Sequence, residues 1–313
     1  MDPEISQELD DAAVELKLDS KETAFFAREL EHIKAQTYDV LFPELKVRQF
    51  VPVSHDADPN SEKITYRQWQ PFGMAQIVSH WADDVPMVEV TGKEFSTPVI
   101  EIAQGYGYSK REIAQSAALG RSLPAMKAQA AAQFIERRID DIGTYGVPEK
   151  DMPGLVNNSN ATLLTLPTGT WSTATAEQIL ADMNYMVSQI VTLTKQTHYP
   201  DRMILPTALY MLISQKVAGN QLNDTVLGIF LKTNPFIKQV DTWVKLDTAA
   251  ADGSGRVICY KYDPNVLQYE IPQEMRQEAP EVRGRGVLVE CNARVGGVVV
   301  RYPLAICYAD NAM

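Results

Sequence analysis

Three features of the sequence predict an α+β fold. Residues 122–142 carry an alanine-rich pattern with helical period, residues 64–69 alternate apolar and polar side chains as a strand does, and residues 256–308 are mostly extended segments broken by prolines. With 313 residues the chain can bury a sizeable core, as one elaborate domain or two modest ones.

Residues 1–48 read as a helical, charge-rich arm with an apolar patch at Ala24, Phe25, Phe26, Leu30 and Ile33. Two adjacent Phe side chains on a polar leader need a place to be buried, either on the chain's own core or on another subunit. Residues 50–95 hold extended segments. Ile64-Thr65-Tyr66-Arg67-Gln68-Trp69 alternates as a strand, Pro71-Phe72-Gly73 supplies turn chemistry, and 74–81 reads as the return segment. A two-stranded excursion buries too little surface to stand alone in water. Trp69, Phe72 and Trp81 are therefore expected to pack against the chain's own body or another subunit. A third extended stretch, 87–90, is joined through Thr91-Gly92-Lys93 to a strand over 99–108.

Ser109 with Glu112 three residues later predicts a capping box that opens a helix over 109–118, ended by Gly120. The next helix starts near Ser122, with Pro124 in its first turn, where the missing N–H costs little. Its alanines give it high propensity, and Leu123, Ala130, Ala131, Phe134, Ile135 and Ile142 share a broad face. It runs for about 30 Å and stops at Gly143 or Gly146. Asp140 and Asp141 fall in its last turn, where exposed carbonyls disfavour negative charge. Arg137, three and four residues earlier, can offset part of that cost. Contact with another subunit is the alternative.

After a polar link at 157–162, Thr175 and Gln178 form a second capping box. Ile179, Met183, Met186, Val187, Ile190 and Val191 then continue a helix to about Thr197. Residues 202–205 read as a buried strand, 207–217 and 224–233 as helices, and 237–246 as a strand. In the strand-rich remainder, Pro264, Pro272 and Pro280 mark breaks and Gly296-Gly297 a turn or bulge.

The net charge of −11 and pI near 4.9 argue against a reader of nucleic acid, whose affinity comes from Lys and Arg clusters. An acidic wall that only encloses DNA is compatible with this charge. The acidic first residues lack the pattern of a secretory signal, and no apolar run reaches about 18 residues. Cys259, Cys291 and Cys307 are odd in number and widely spaced, which suits buried thiols. No phosphate-binding loop is present, and neither Gly105-Tyr-Gly107 nor Gly284-Arg-Gly286 completes a dinucleotide fingerprint. Asp56-Ala-Asp58-Pro-Asn60 imitates the opening of a calcium loop. Ser61 and Arg67 stand where that loop needs Gly and Glu, so a solvated turn is the better reading. His32, His55, His80 and His198 fall in four separate segments without metal-ligand spacing. No catalytic, cofactor or metal site is expected.

The string Gly105-Tyr-Gly-Tyr108-Ser-Lys-Arg-Glu112, the alanine-rich helix from Leu123 to Ile142-Gly143, and Gly146 form an ordered set with Pro153-Gly154-Leu155-Val156-Asn157. Together with Ala293-Arg-Val-Gly-Gly-Val-Val-Val-Arg-Tyr-Pro303, they resemble the major capsid proteins of tailed bacteriophages, which share the Hong Kong 97-like capsid fold. The resemblance implies an N-terminal arm at 1–48, an E-loop at 49–95, and a P-domain at 96–162 with its spine helix at 121–145. An A-domain at 163–265 and return strands completing the P-domain at 266–313 would follow. It further implies a structural protein, not an enzyme, that assembles into pentamers and hexamers of an icosahedral shell around double-stranded DNA. Portal, scaffold and decoration proteins would be partners, with no cofactor, no membrane and no sequence-specific DNA binding. The location would be the virion capsid, after assembly in the host bacterial cytoplasm. On this reading Phe25, Phe26, Arg67, Trp69, Phe72, Trp81, Arg137, Asp140 and Asp141 are the expected intersubunit contacts. With Met1 only about 50 residues before the E-loop, a fused scaffold is not expected. Lys63 and Lys93 sit near the loop's base without an identifiable crosslinking acceptor. An encapsulin-like shell around protein cargo is the alternative, and a soluble enzyme with a site assembled from scattered residues is a third reading.

Overall fold

The computed structural model describes residues 43–77, 85–118, 122–218 and 224–312, and the elements of the fold all belong to the unit Leu45–Met313. The chain enters through one helical turn, α1 (Val47–Phe50), and a two-residue strand, β1 (Val53–Ser54). A long ribbon follows, with β2 (Lys63–Phe72) antiparallel to β3 (Glu89–Pro98) in unbroken register from Lys63 opposite Pro98 to Phe72 opposite Glu89. The sequence pattern places the return segment at 74–81 and reads Thr91-Gly92-Lys93 as a link between two extended stretches. Instead the partner strand is 89–98, and Gly92 lies mid-strand opposite Trp69, whose indole covers it. Lys93 accordingly sits partway along the ribbon, opposite Gln68, rather than at its base.

β4 (Ile100–Ser109) leads into α2 (Lys110–Ala118) through the predicted capping box. Glu112 accepts the Ser109 N–H at 2.7 Å, and Ser109 Oγ accepts the Glu112 N–H at 3.2 Å. α3 (Leu123–Tyr145) then buries Ala131, Ile135, Ile139 and Ile142, a stripe at helical spacing. Phe134, expected on the buried face, is 52% exposed, because the stripe is centred one residue further round the helix. The helix runs through Gly143 and stops at Gly146, whose φ of +67° suits a residue without Cβ. The turn at 153–157 folds back on this end. Leu155 and Val156 donate their N–H groups to Gly143 O and Thr144 O at 2.9 and 3.0 Å, and Asn157 Nδ2 donates to Tyr145 O at 2.6 Å. These bonds close carbonyls that a helix end leaves open. The approach is so close that a Cβ on Gly154 would stand 2.2 Å from Thr144 O. Gly154→Ala is expected to cost about 1–3 kcal/mol through overpacking, read as a lower denaturation midpoint at unchanged m-value.

β5 (Thr162–Leu164) precedes α4 (Ala176–Leu193), which opens on the second predicted capping box, with Thr175–Gln178 contacts of 2.8 and 3.3 Å. Next come β6 (Arg202–Leu205), α5 (Thr207–Gln215), α6 (Val226–Thr233) and β7 (Gln239–Thr242). The predicted strand at 237–246 is shorter because the chain turns into a 3-10 helix at Val244–Leu246, which buries Leu246. β8 (Val257–Tyr260), β9 (Leu267–Glu270), β10 (Gln273–Gln277), β11 (Glu281–Arg283), β12 (Gly286–Val295), β13 (Gly297–Val300) and β14 (Ile306–Ala309) complete the chain.

β12 pairs with β4 along its whole length and with β10 and β11 on its other side, while β9 lies between β1 and β13. α3 packs on this strand system. A five-stranded mixed sheet has the order β5-β14-β8-β6-β7. The segment 266–313, expected as a whole to complete the body around the long helix, instead sends β14 into this second sheet between β5 and β8. Side chains of β6, β8 and β14 alternate between two cores. Ile204, Ile258, Tyr260, Ile306 and Tyr308 face the core containing α3, whereas Met203, Leu205, Val257, Cys259 and Cys307 face the core containing α4. A sheet covered on both faces explains the near-continuous apolar runs. All three cysteines are buried free thiols. Among the described residues, no helix is long and apolar enough to cross a membrane.

Candidate assembly surfaces

Among the described residues, the contacts that fix the β2–β3 ribbon to the body lie at its base. Arg294 donates to the carbonyls of Pro59 and Ser61, Ile64 packs against Gly296, and the Arg301 guanidinium lies 5.9 Å from the Tyr66 ring. Tyr66 stacks on Phe95 at 5.2 Å, and Arg67 pairs with Glu94 at 2.7 Å. Beyond that level both faces are exposed. Trp69 is 65% and Phe72 50% accessible, and Met74, Ile77, Met87, Val88 and Val90 are also exposed. Phe72, Met74, Val85 and Val88 line an apolar cleft of about 480 Å³ at the far end. Arg67, Trp69 and Phe72 are thus brought together on one ribbon. Phe25, Phe26 and Trp81 lie outside the described residues.

Asp140 and Asp141 are bound from within the chain. Asp140 is only 2% exposed. Its Oδ1 accepts the Val47 N–H at 2.9 Å, and its Oδ2 accepts Lys245 Nζ at 2.6 Å. The same ammonium reaches Asp141 Oδ1 at 2.6 Å and Thr144 Oγ1 at 3.3 Å, while Tyr145 Oη donates to Lys245 O at 3.1 Å. The expectation that Asp140 meets a neighbouring subunit is therefore corrected, because a carboxylate this deeply buried and doubly bonded has no outward surface. Asp141 keeps a partly exposed edge, and Arg137 is exposed on α3. Lys245 is the residue that sequence reasoning missed. Its only signal was the need for a cation near the helix end, and it lies about a hundred residues away.

Next to Val47, Arg48 donates to both Glu274 oxygens at 2.7 and 2.8 Å and to Glu136 at 3.1 Å. The hydrogen bond from Arg48 holds the Glu274 carboxyl below its usual range, whereas burial lifts Glu136 above its own. The two act oppositely on stability. The Glu274 contribution is present above the unfolded pKa of about 4.3 and is lost as pH falls through its lower folded value. Ionised Glu136 costs stability at neutral pH, and that cost disappears as pH falls through its raised value. Glu274 is 43% exposed at the side chain, so screening keeps the effect small. Glu274→Gln is expected to lose up to about 1 kcal/mol at pH 7 and nothing once the carboxylate is protonated. Glu136→Gln should be neutral or slightly stabilising at pH 7. Urea titrations at several pH values read both.

Among the described residues, no cluster of His, Cys, Asp and Glu could hold a metal ion. The Asp56–Asn60 string is a turn in which Asp58 Oδ1 accepts the Asn60 N–H at 2.7 Å and Asp58 O accepts Ser61 Oγ at 2.7 Å.

A family model described as major capsid protein matches residues 73–311. Among solved structures, the capsid of Myoviridae phage XM1 is similar at 19% identity, covering 93% of this chain and 99% of its own, with a TM-score of 0.81. A structure from Mycobacterium phage Bobi is similar at 13% identity over 91% and 96% of the two chains, with a TM-score of 0.62. The capsid of an empty GTA particle is similar at 12% identity over 95% and 100%, with a TM-score of 0.62. No curated protein matches in sequence.

Proposed function

The chain belongs to the major capsid protein family, whose members are structural proteins of the virion capsid, and we propose that its copies close into rings of five and six in an icosahedral shell around double-stranded DNA. The carrying observation is the β2–β3 ribbon, which exposes Trp69, Phe72 and further apolar side chains on both faces and, among the described residues, is joined to its own body at the base. Two strands with this much uncovered apolar surface need a second molecule. In this reading the ribbon is the E-loop, α3 the spine of the P-domain, and the five-stranded sheet the frame of the A-domain. Phe25, Phe26, Arg67, Trp69, Phe72, Trp81, Arg137 and the exposed edge of Asp141 are the intersubunit contacts. Rings arise from heterologous contacts, and obligate interfaces of about 2,000 Å² or more in total are expected. Portal and scaffold proteins, with or without a decoration protein, are the further partners this reading expects. A shell around protein cargo, the alternative, is not favoured by the family match.

The test is expression of the full chain followed by sedimentation and electron microscopy. Closed particles with five-fold and six-fold rings are the expected result. A protein that stays monomeric, with and without a scaffold partner, would overturn the reading.

A further inference from the structure

One corner of the sheet carries three cations that form no ion pair with the described residues. Lys110 and Arg111 occupy the first turn of α2, the end of a helix at which the dipole disfavours positive charge. Arg285 lies in the turn between β11 and β12, and its carbonyl accepts the Lys110 N–H at 3.3 Å, which gathers the three residues at one corner. All three are exposed, and none has an ion pair among the described residues. The nearby carboxylates are engaged elsewhere. Glu112 caps Ser109 and lies 3.7 Å from Lys127, and Glu281 holds Arg283 at 2.9 Å with Glu290 at 3.9 Å. Val282, 72% exposed, adds an apolar side chain on the adjoining strand.

The opposite charge is concentrated in one part of the sequence. Residues 1–42 contain eleven Asp and Glu against four Lys and Arg, a net −7 of the chain's −11. The first eleven hold Asp2, Glu4, Glu8, Asp10 and Asp11 and no Lys or Arg. We propose that the corner formed by Lys110, Arg111 and Arg285 is a docking site for the acidic stretch 1–11 of a second copy of this chain. The inference rests on the shell reading. The chain enters the fold at Val47, bonded to Asp140 near the C-terminal end of α3. The corner lies toward the other end of that helix, where Lys127 Nζ donates to Gly107 O at 2.7 Å. Thirteen residues of helix separate Lys127 from Asp140, about 20 Å. The 34 residues between positions 11 and 46 span about 50 Å as a helix and about 115 Å at full extension, enough in either form to reach beyond the chain's own α3. Each copy carries one acidic stretch and one corner, so donors and acceptors match one to one around any ring.

The test uses full-length chains under conditions in which wild type forms particles. Failure of wild type itself would fault the shell reading rather than the corner. Lys110→Gln/Arg111→Gln/Arg285→Gln should raise the critical concentration for assembly at least about threefold at low salt, since exposed ion pairs are individually weak. The difference should vanish near 1 M salt, where screening acts within about 3 Å. Thermal unfolding of the unassembled subunit should not change. The decisive arm reverses charge. One chain carries Lys110→Glu/Arg111→Glu/Arg285→Glu, and another carries Glu4→Lys/Glu8→Lys/Asp10→Lys/Asp11→Lys. Each should assemble poorly alone, and an equimolar mixture should recover particles containing both. An unchanged threshold in the neutralised variant would overturn the proposal. So would a mixture that assembles no better than its components, which would place any pairing within one copy.

Discussion

Excising residues 67–94 and joining Tyr66 to Phe95 through Asn-Gly should leave a subunit that folds normally and forms no shells. Tyr66 and Phe95 are directly opposed, so a two-residue turn closes the shortened ribbon without disturbing its register. The anchoring contacts of Arg294, Ile64 and Arg301 lie below the cut and survive. The removed segment carries Trp69 and Phe72, both at least half exposed, so its loss exposes little new apolar surface in the isolated chain. Aromatic side chains central to an interface commonly cost about 2 kcal/mol or more each when truncated, and every 1.4 kcal/mol is about a factor of ten in affinity. Trp69→Ala/Phe72→Ala alone should therefore raise the critical concentration by two or more orders of magnitude. Sedimentation velocity measures assembly, and thermal unfolding of the unassembled subunit serves as the control. Intact particles from the excised chain would sink the idea.

Lys245→Met should destabilise the isolated subunit by about 3 kcal/mol. The methionine fills most of the aliphatic space but leaves Asp140 as a buried carboxylate without its cation. Removing one member of a buried pair costs more than the pair itself contributes, because the remaining charge is stranded in a poorly polarisable medium. Asp140→Asn should cost less. The amide oxygen still accepts the Val47 N–H, and Asp141 still engages Lys245. Combining Lys245→Met with Asp140→Asn should recover part of the loss, since the stranded charge is gone. Urea unfolding of the unassembled subunit tests this series. A Lys245→Met variant within about 1 kcal/mol of wild type would show that water reaches Asp140 and the pair is effectively exposed.

What the sequence revealed follows the range of the interactions involved. Both capping boxes, Ser109 with Glu112 and Thr175 with Gln178, form as read, because both partners lie within one helical turn. The strand at 202–205 has the bounds that its apolar run indicated. Pairing was less legible. The strand opposite Lys63–Phe72 could not be found from local pattern, because Thr91-Gly92-Lys93 reads as a link between extended stretches while Gly92 in fact lies within the strand, under the indole of Trp69. The helix dipole at Asp140 and Asp141 calls for a compensating cation, but Lys245 belongs to a 3-10 turn that only the folded chain brings near. Phe134 was misplaced because a broad alanine face leaves the helix free to rotate by one residue, and the larger Ile135, Ile139 and Ile142 decide the rotation. For the assembly surfaces, sequence singled out Arg67, Trp69 and Phe72 but not Lys110, Arg111 and Arg285, since three scattered cations have no pattern until β4 and β12 pair.

The alternation of β6, β8 and β14 between two cores makes the five-stranded sheet a stiff plate. Any load that bends it must compress packed side chains on one face and stretch them on the other, and close-packed interiors resist both. The β2–β3 ribbon is a different mechanical element, a slender beam clamped at one end. A shell with rings of both five and six must tilt the same tile by different angles at its edges. With the plate stiff and the beam compliant, in the proposed shell that angular difference is expected to concentrate in the ribbon and in its clamp at Ile64, Arg294 and Arg301. Substitutions at the clamp should therefore alter the curvature, and hence the diameter, of the particles rather than whether they form.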